Sequence, residues 1–262
     1  MKTYLVALAL TGALSSTAFA ADLMPAKAPS AAAMAPVANW TGCYVDGGVG
    51  FNVWNQDHTE TSPGFAPLAQ TTDGGRNWLG RIGGGCDYQT PWFANKLVIG
   101  LFGDYDFMST GTGTNTPNLI LPGGTESANE TERNAWYVGG RIGYLITPSI
   151  LSYVDGGYTA SRFTQSPEFL TPSGAPSGFQ WQNFTANGWF LGGGMETPLA
   201  GLVPGLPSGL FLRTEYRYSR YANRDISEFT VATGVPDGNV EHVKSYNQTV
   251  TTSLVWRFNW GG

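Results

Sequence analysis

The sequence predicts an all-β fold: an eight-stranded antiparallel transmembrane β-barrel with short periplasmic turns and four long extracellular loops. Three observations carry this prediction. Period-two alternation recurs in eight segments from Trp40 onward, without a run of 3.6-residue periodicity. The charges inside those segments are Arg, Asp and Glu, never Lys. The connections alternate between short and long, as in barrels with turns on one side of a membrane and loops on the other. Composition removes the main alternatives. Of 262 residues, 36 are Gly, 13% are aromatic and only 13% are charged, whereas disordered chains are poor in aromatics and rich in charge. The glycines keep no three-residue period, which excludes a collagen-like chain. A net charge of -5 argues against a protein that neutralises phosphates, so no nucleic-acid partner is expected. A mean hydropathy of -0.14 argues against a helical membrane protein.

In chain order, residues 1–20 read as a secretory signal peptide, with Lys2, an apolar run over 4–14, and Ala18 and Ala20 at the spacing of a cleavage site. The run is too short to span a bilayer, which needs about 20 residues. Residues 21–39 are rich in Ala and Pro and read as a flexible periplasmic leader. The barrel domain then occupies 40–262, with strands expected near 42–54, 76–89, 97–109, 133–146, 150–163, 187–197, 209–222 and 246–260. Each is long enough for a tilted crossing of roughly 9–11 residues.

The faces sort cleanly. In the first segment Cys43, Val45, Val49, Phe51 and Val53 oppose Asp46, Gly48, Gly50 and Asn52; in the fourth, Trp136, Val138, Ile142, Tyr144 and Ile146 oppose Gly139, Arg141 and Gly143. In the seventh, Leu210, Leu212, Tyr216 and Tyr218 oppose Arg213, Glu215 and Arg217. One face reads as apolar and aromatic, the other as Gly mixed with charge. Alternation does not say which face points inward, since a soluble barrel would reverse it. Lysine decides. Lys2, Lys27, Lys96 and Lys244 lie outside the strands, while the polar faces carry Asp46, Arg81, Asp87, Asp104, Asp106, Arg141, Asp155, Glu196, Arg213, Glu215, Arg217 and Arg257. A solvated face would use flexible Lys; packed ion pairs favour the planar Arg fork. These residues are therefore expected to form a luminal charge network, with neighbouring glycines leaving room for long side chains. Long connections fall at about 55–75, 110–132, 164–186 and 223–245. In this orientation Trp78, Tyr105, Phe107, Trp136, Trp189 and Tyr218 form an outer aromatic girdle, and Tyr88, Tyr144 and Phe258 an inner one.

Several blocks in this order resemble the alphaproteobacterial outer-membrane porin family, which includes small surface-antigen barrels of the opacity type. They are Ala21-Asp22-Leu23, Asn39-Trp40-Thr41-Gly42 through Gly50-Phe51, Gly140-Arg141-Ile142-Gly143-Tyr144, Tyr153-Val154-Asp155-Gly156-Gly157-Tyr158, Gly188-Trp189 to Gly194-Met195-Glu196, and Arg213-Thr214-Glu215-Tyr216. The resemblance implies an eight-stranded barrel in the cell outer membrane, exported through the inner membrane, with a porin-like or surface-antigen role and haemin binding in some members. It also implies assembly by the barrel assembly machinery, read here from Leu254, Trp256, Phe258 and Trp260, although the chain runs on to Gly261-Gly262. Cys43, Cys86 and Phe102 depart from the usual residues of the family.

Antiparallel pairing brings Cys43 and Cys86 to the periplasmic end, where either a disulfide or two free thiols is compatible with the spacing. Arg76, Arg162 and Arg220 fall on the lipid face near the extracellular ends, suited to lipopolysaccharide phosphates or to plain solvation. Two histidines, His58 and His242, with two cysteines elsewhere give no zinc spacing, so catalytic, metal and cofactor sites are not expected. His58 does have Asp57, Glu60 and Ser62 close in sequence, the residue types an acyl-transfer site would need. The sequence thus reads as a structural, surface-antigen barrel of small porin-like permeability; the alternative is a surface binder of haemin, host or phage ligands through its loops.

Overall fold

The computed structural model describes residues 39–109, 115–121, 124–171, 173–201, 203 and 205–259. The expected signal peptide, nearly all of the leader and Trp260 lie outside the described residues. Twelve strands form in chain order: β1 Gly42–Thr61, β2 Thr71–Gln89, β3 Leu97–Met108, β4 Asn115–Leu121, β5 Gly124–Thr147, β6 Ile150–Gln165, β7 Phe169–Thr171, β8 Phe179–Trp181, β9 Phe184–Pro198, β10 Leu210–Tyr221, β11 Arg224–Thr230 and β12 Pro236–Asn259. Eight of them pair in the ring β1-β2-β3-β5-β6-β9-β10-β12, all antiparallel. The ring closes where β1 pairs β12 from Gly42↔Asn259 to Thr61↔Val240. Closure leaves no unpaired edge, which a lipid-embedded sheet requires.

The eight ring strands are those expected, but several run further. β1 reaches Thr61, β2 begins at Thr71, β5 at Gly124 and β12 at Pro236. β12 has 24 residues, more than twice the roughly 9–11 of a tilted crossing. Much of what reads as loop is therefore barrel wall standing beyond the bilayer, and β4, β7, β8 and β11 add short pairings there. The reason is physical. Beyond the membrane the outer face meets water, so Asn55, Asp57 and Thr59 alternate with Gln56, His58 and Glu60, and an alternation of polar with polar gives no hydrophobic period to detect. β5 also carries a bulge between Glu132 and Asn134 against β6, so that Glu132 and Ala135 are both buried on the inner side.

The face assignment follows the predicted parity. Val45, Val49, Trp78, Ile82, Leu101, Val138, Ile142, Val154, Leu191 and Leu254 are exposed on the outside, where the solvent is lipid. Outer-girdle rings pack on aromatic neighbours: the centroids of Trp78 and Phe51 are 5.5 Å apart, those of Trp136 and Tyr158 5.4 Å, and those of the girdle pair Trp189 and Tyr218 6.1 Å. At the other end the β2–β3 turn is tight, with Phe93, Ala94 and Asn95 at φ of 53, 56 and 59°. Gln89 Nε2 donates to the Asn95 carbonyl at 2.6 Å, and Trp92 and Phe93 stay exposed.

Cys43 stands opposite Cys86 in the β1–β2 register, and the two are joined by a disulfide closing a separation of 43 residues. A loop of that size constrains the unfolded chain by about 2–4 kcal/mol. The Cys43→Ser/Cys86→Ser variant is expected to lower the urea midpoint of the detergent-folded barrel and to match the mobility of the reduced wild type on gels. Alkylation of both thiols in unreduced wild type would contradict it.

Candidate functional site in the barrel interior

Glycine makes the interior possible. A Cβ at Gly192 would sit 2.6 Å from Asp155 Oδ1 and 2.7 Å from Arg217 Cγ, and one at Gly100 would collide with the Asp87 carboxylate. The twelve charged residues expected in the lumen are all buried, none more than 7% exposed. They form two layers. Toward the periplasm, Arg141 clasps Asp87 with Nε at 2.9 Å and Nη2 at 2.5 Å, and Arg257 reaches the same carboxylate at 2.8 Å. Glu196 receives Arg257 at 2.6 Å, Arg213 at 3.2 Å and Arg141 at 3.3 Å, while Arg213 also meets Asp46 at 3.1 Å. In the next layer Arg81 forks onto Asp106 at 2.6 and 2.8 Å and reaches Glu215 at 2.7 Å. Arg217 meets Asp104 at 2.6 Å, Glu215 at 2.8 Å and Asp155 at 2.9 Å.

The inner face is not only glycine and charge, as the alternation had suggested. Aromatic rings lie between the guanidiniums. Arg213, Arg141 and Arg257 stand 4.5, 4.8 and 5.1 Å from the Tyr44 ring, and Arg217 lies 4.7 Å from the Phe102 ring. Tyr153 donates to Glu215 at 2.7 Å. Trp40, fully buried and 4.5 Å from Arg257, closes the periplasmic end. Tyr44, Tyr137 and Tyr153 share strand parity with the charges, and that parity is the signal that could have placed them. Buried ion pairs of this kind resist disruption, because removing one partner strands a charge at about 3–5 kcal/mol.

Above the network the chemistry changes. Glu132 accepts from Asn247 at 2.8 Å and from Asn52 and Ser161. An apolar cluster of Trp54, Phe163, Trp181, Phe184, Tyr221 and Ile226 follows in the extracellular wall. There His58 Nε2 lies 2.9 Å from Asp73 and Nδ1 3.1 Å from Glu241, with Glu130 fully buried beside them. Glu126, Glu168 and Glu228 gather in a second acidic group, and Glu60 is buried too. Every buried Arg among the described residues belongs to the lower network. This acidic vestibule escaped the sequence reading because its residues lie on stretches read as loops.

The remaining candidates separate. His242 is exposed on the outer face with Asp225 at 2.5 Å, and its register partner is Thr59, next to the inward His58. The two histidines therefore face opposite sides of one wall and do not flank a common haem. Ser62 Oγ turns to Glu60 at 3.5 Å and Asp57 to Thr72 at 2.7 Å, away from the His58 ring. Arg76, Arg162 and Arg220 all point outward and are exposed, as is Arg133 at the bulge. Leu254, Trp256 and Phe258 are exposed on the lipid face of β12.

The chain matches the family model described as outer membrane protein beta-barrel domain over residues 6–258. It is similar to the 25 kDa outer-membrane immunogenic protein of Brucella canis, 24% identical over 227 residues that cover 86% of this chain and 87% of the relative. The Brucella ovis protein of the same description is 24% identical over 237 residues, covering 89% and 97%. Among solved structures, the fold is similar to that of the outer membrane protein OprG from Pseudomonas aeruginosa, with a TM-score of 0.51 at 12% identity, covering 83% of this chain and 97% of that one.

His58 lies seven residues along β1 beyond Phe51, the register partner of the girdle residue Trp78, roughly 20 Å of strand at about 3.3 Å per residue, and so stands outside the bilayer. Burial works against its charge, but hydrogen bonds to Asp73 and Glu241 and their negative charges push it up to about 11. Burial pushes the Glu130 carboxyl up to about 8, partly offset by His58 and reinforced by Asp73 and Glu241. Burial and the neighbouring carboxylates Glu241, Glu168 and Glu126 raise Glu60 to about 7. The signs agree. His58 contributes stability that is complete below its ordinary 6.5 and fades as pH rises toward 11, and both carboxyls lose stability as pH climbs above their ordinary 4.5. The melting temperature is expected to fall from pH 6.5 to pH 10, with a shallower fall in His58→Gln; equal slopes for the two proteins would refute the assignment.

Proposed function

Because the chain belongs to the outer membrane protein beta-barrel domain family, we propose that it is a structural and surface-antigen barrel of the outer membrane with at most small porin-like permeability. The outer membrane is where it resides, and its lipid-facing wall meets that membrane's lipids. One observation carries the proposal: five guanidiniums and seven carboxylates, interlocked and buried with aromatic rings between them, occupy the interior at membrane depth. An eight-stranded barrel is just wide enough for side chains to fill it. Filling of this kind supports a wall and an anchor for surface-exposed segments rather than a channel. The Brucella relatives, described as immunogenic, support the antigen reading. The inward turn of His58, away from His242, weighs against loop-borne haemin ligation. The C-terminal strand supports handling by the barrel assembly machinery through Leu254, Trp256 and Phe258.

In planar bilayers the purified protein is expected to give small, infrequent conductance, and the Arg81→Ala/Arg217→Ala variant a clearly larger one. Large, stable channels from the wild type would sink the proposal. On the outer rim, Arg76, Arg162 and Arg220 form an outward, exposed set suited to lipopolysaccharide phosphates, since a planar guanidinium binds phosphate in a fork. Exchanging all three for Gln is expected to reduce lipopolysaccharide co-purification several-fold; an undiminished amount would assign them to solvent.

A further inference from the structure

The vestibule gathers donors that no short sequence motif brings together. His58 comes from β1, Asp73 from β2, Glu130 from β5 and Glu241 from β12. One ligand atom from each of His58, Asp73 and Glu130 falls within 4.8 Å of the others, and all three residues are buried. That spacing suits a single small cation, whose ligands at about 2.0–2.2 Å from the metal lie some 3–4 Å from one another. Glu130 points to a ligand independently of the clustering. It is fully buried, and neither carboxylate oxygen has a well-formed hydrogen bond, the Gln165 side chain approaching it only as a poorly aligned donor. A buried carboxyl in this state keeps its proton unless a cation takes the proton's place.

The histidine is already oriented. Its Nε2 faces Asp73 at 2.9 Å, while Nδ1 lies 3.1 Å from Glu241. A metal-ligating histidine ordinarily donates its other ring N–H to a carboxylate, which fixes the ring and raises the basicity of the ligating nitrogen. Glu241 stands in that place. Toward the rim, Glu60, Glu126, Glu168 and Glu228 continue the row of carboxyl groups, all buried, a lining that attracts cations as its members ionise.

We propose that His58 Nε2, Asp73 and Glu130 form a divalent-cation site in the extracellular vestibule, oriented by Glu241 and selective for a borderline cation of the Zn²⁺ kind. Selectivity follows from the donors. An imidazole nitrogen favours Zn²⁺ over Ca²⁺ or Mg²⁺, which prefer all-oxygen cages. Binding replaces the proton on Nε2, and Glu130 must also be ionised, so affinity increases with pH. The metal would tie β1, β2 and β5 together in the extracellular wall, toward the opposite end of β1 and β2 from the disulfide.

The test is Zn²⁺ titration of the full, detergent-folded protein against a fluorescent chelator at pH 7.5 and pH 5.5. Wild type is expected to bind one Zn²⁺, at least tenfold more weakly at the lower pH. His58→Gln and Glu130→Gln are each expected to weaken binding tenfold or more, whereas His242→Gln, on the outer face, leaves it unchanged. Heat-modifiable gel migration checks that each variant is folded. If Glu130→Gln does not fold, wild type loaded with Co²⁺ decides. Paramagnetic displacement of the His58 ring signals supports the site, and displacement confined to His242 overturns it. An absence of Zn²⁺ binding at pH 7.5, retention of wild-type affinity by folded Glu130→Gln, or loss with His242→Gln would each overturn it as well.

Discussion

The interlocked charges of the lumen are the constraint on which the rest of the structure depends. Within the bilayer, five buried guanidiniums face seven buried carboxylates, and none can be left alone without a desolvation cost that would compete with the stability of the whole barrel. Their geometry dictates the wall around them. Gly100 and Gly192 are bare where the Asp87 and Asp155 carboxylates press against the strand. Tyr44, Tyr137 and Phe102 fill the spaces between guanidinium planes. Arginine suits this role because its planar fork binds two carboxylate oxygens at once and its face stacks on a ring; an ammonium does neither.

The same barrel carries a different interior once it leaves the membrane. Here the ring strands continue, but among the described residues the inner rows hold carboxyl groups with His58 and no buried Arg. The two regions are separated by Trp54, Phe163 and their neighbours. A balanced network suits a segment sheathed in lipid, where water does not solvate from outside. An acidic vestibule suits a segment whose outer face is wet and whose charge is met by protons or cations. The interior therefore divides along the barrel axis: interlocked arginines and carboxylates below, carboxyl groups with one histidine above.

The parity of the ring strands was legible because lipid on one side and packed charge on the other make the strongest contrast an alternating strand can show. Val45 against Asp46 and Ile142 against Arg141 are instances. The exclusion of Lys from the membrane-depth stretches gave the orientation; Lys244, expected outside the strands, falls within β12 but in its polar extracellular half, exposed on the outer face. Where the contrast vanishes, the reading fails. Asn55 and Gln56 are both polar, so the upper half of β1 resembles loop; the bulge at Arg133 breaks the parity that would have linked Glu130 and Glu132 to the rest of β5. The luminal tyrosines were hidden for another reason. An aromatic residue reads as lipid-facing by composition, and only its row, shared with the charges, reveals that Tyr153 belongs inside with Glu215.

The sequence by itself determined the closed antiparallel barrel, the identity of its lipid face and the twelve charges turned inward, because each follows from period-two chemistry along single strands. What the tertiary structure decided is which charge meets which. Glu196 with its three arginines, and His58 with Asp73, Glu130 and Glu241, are assembled from strands far apart in the chain. Their meeting depends on the stagger between neighbouring strands, a property of ring closure that no single segment encodes.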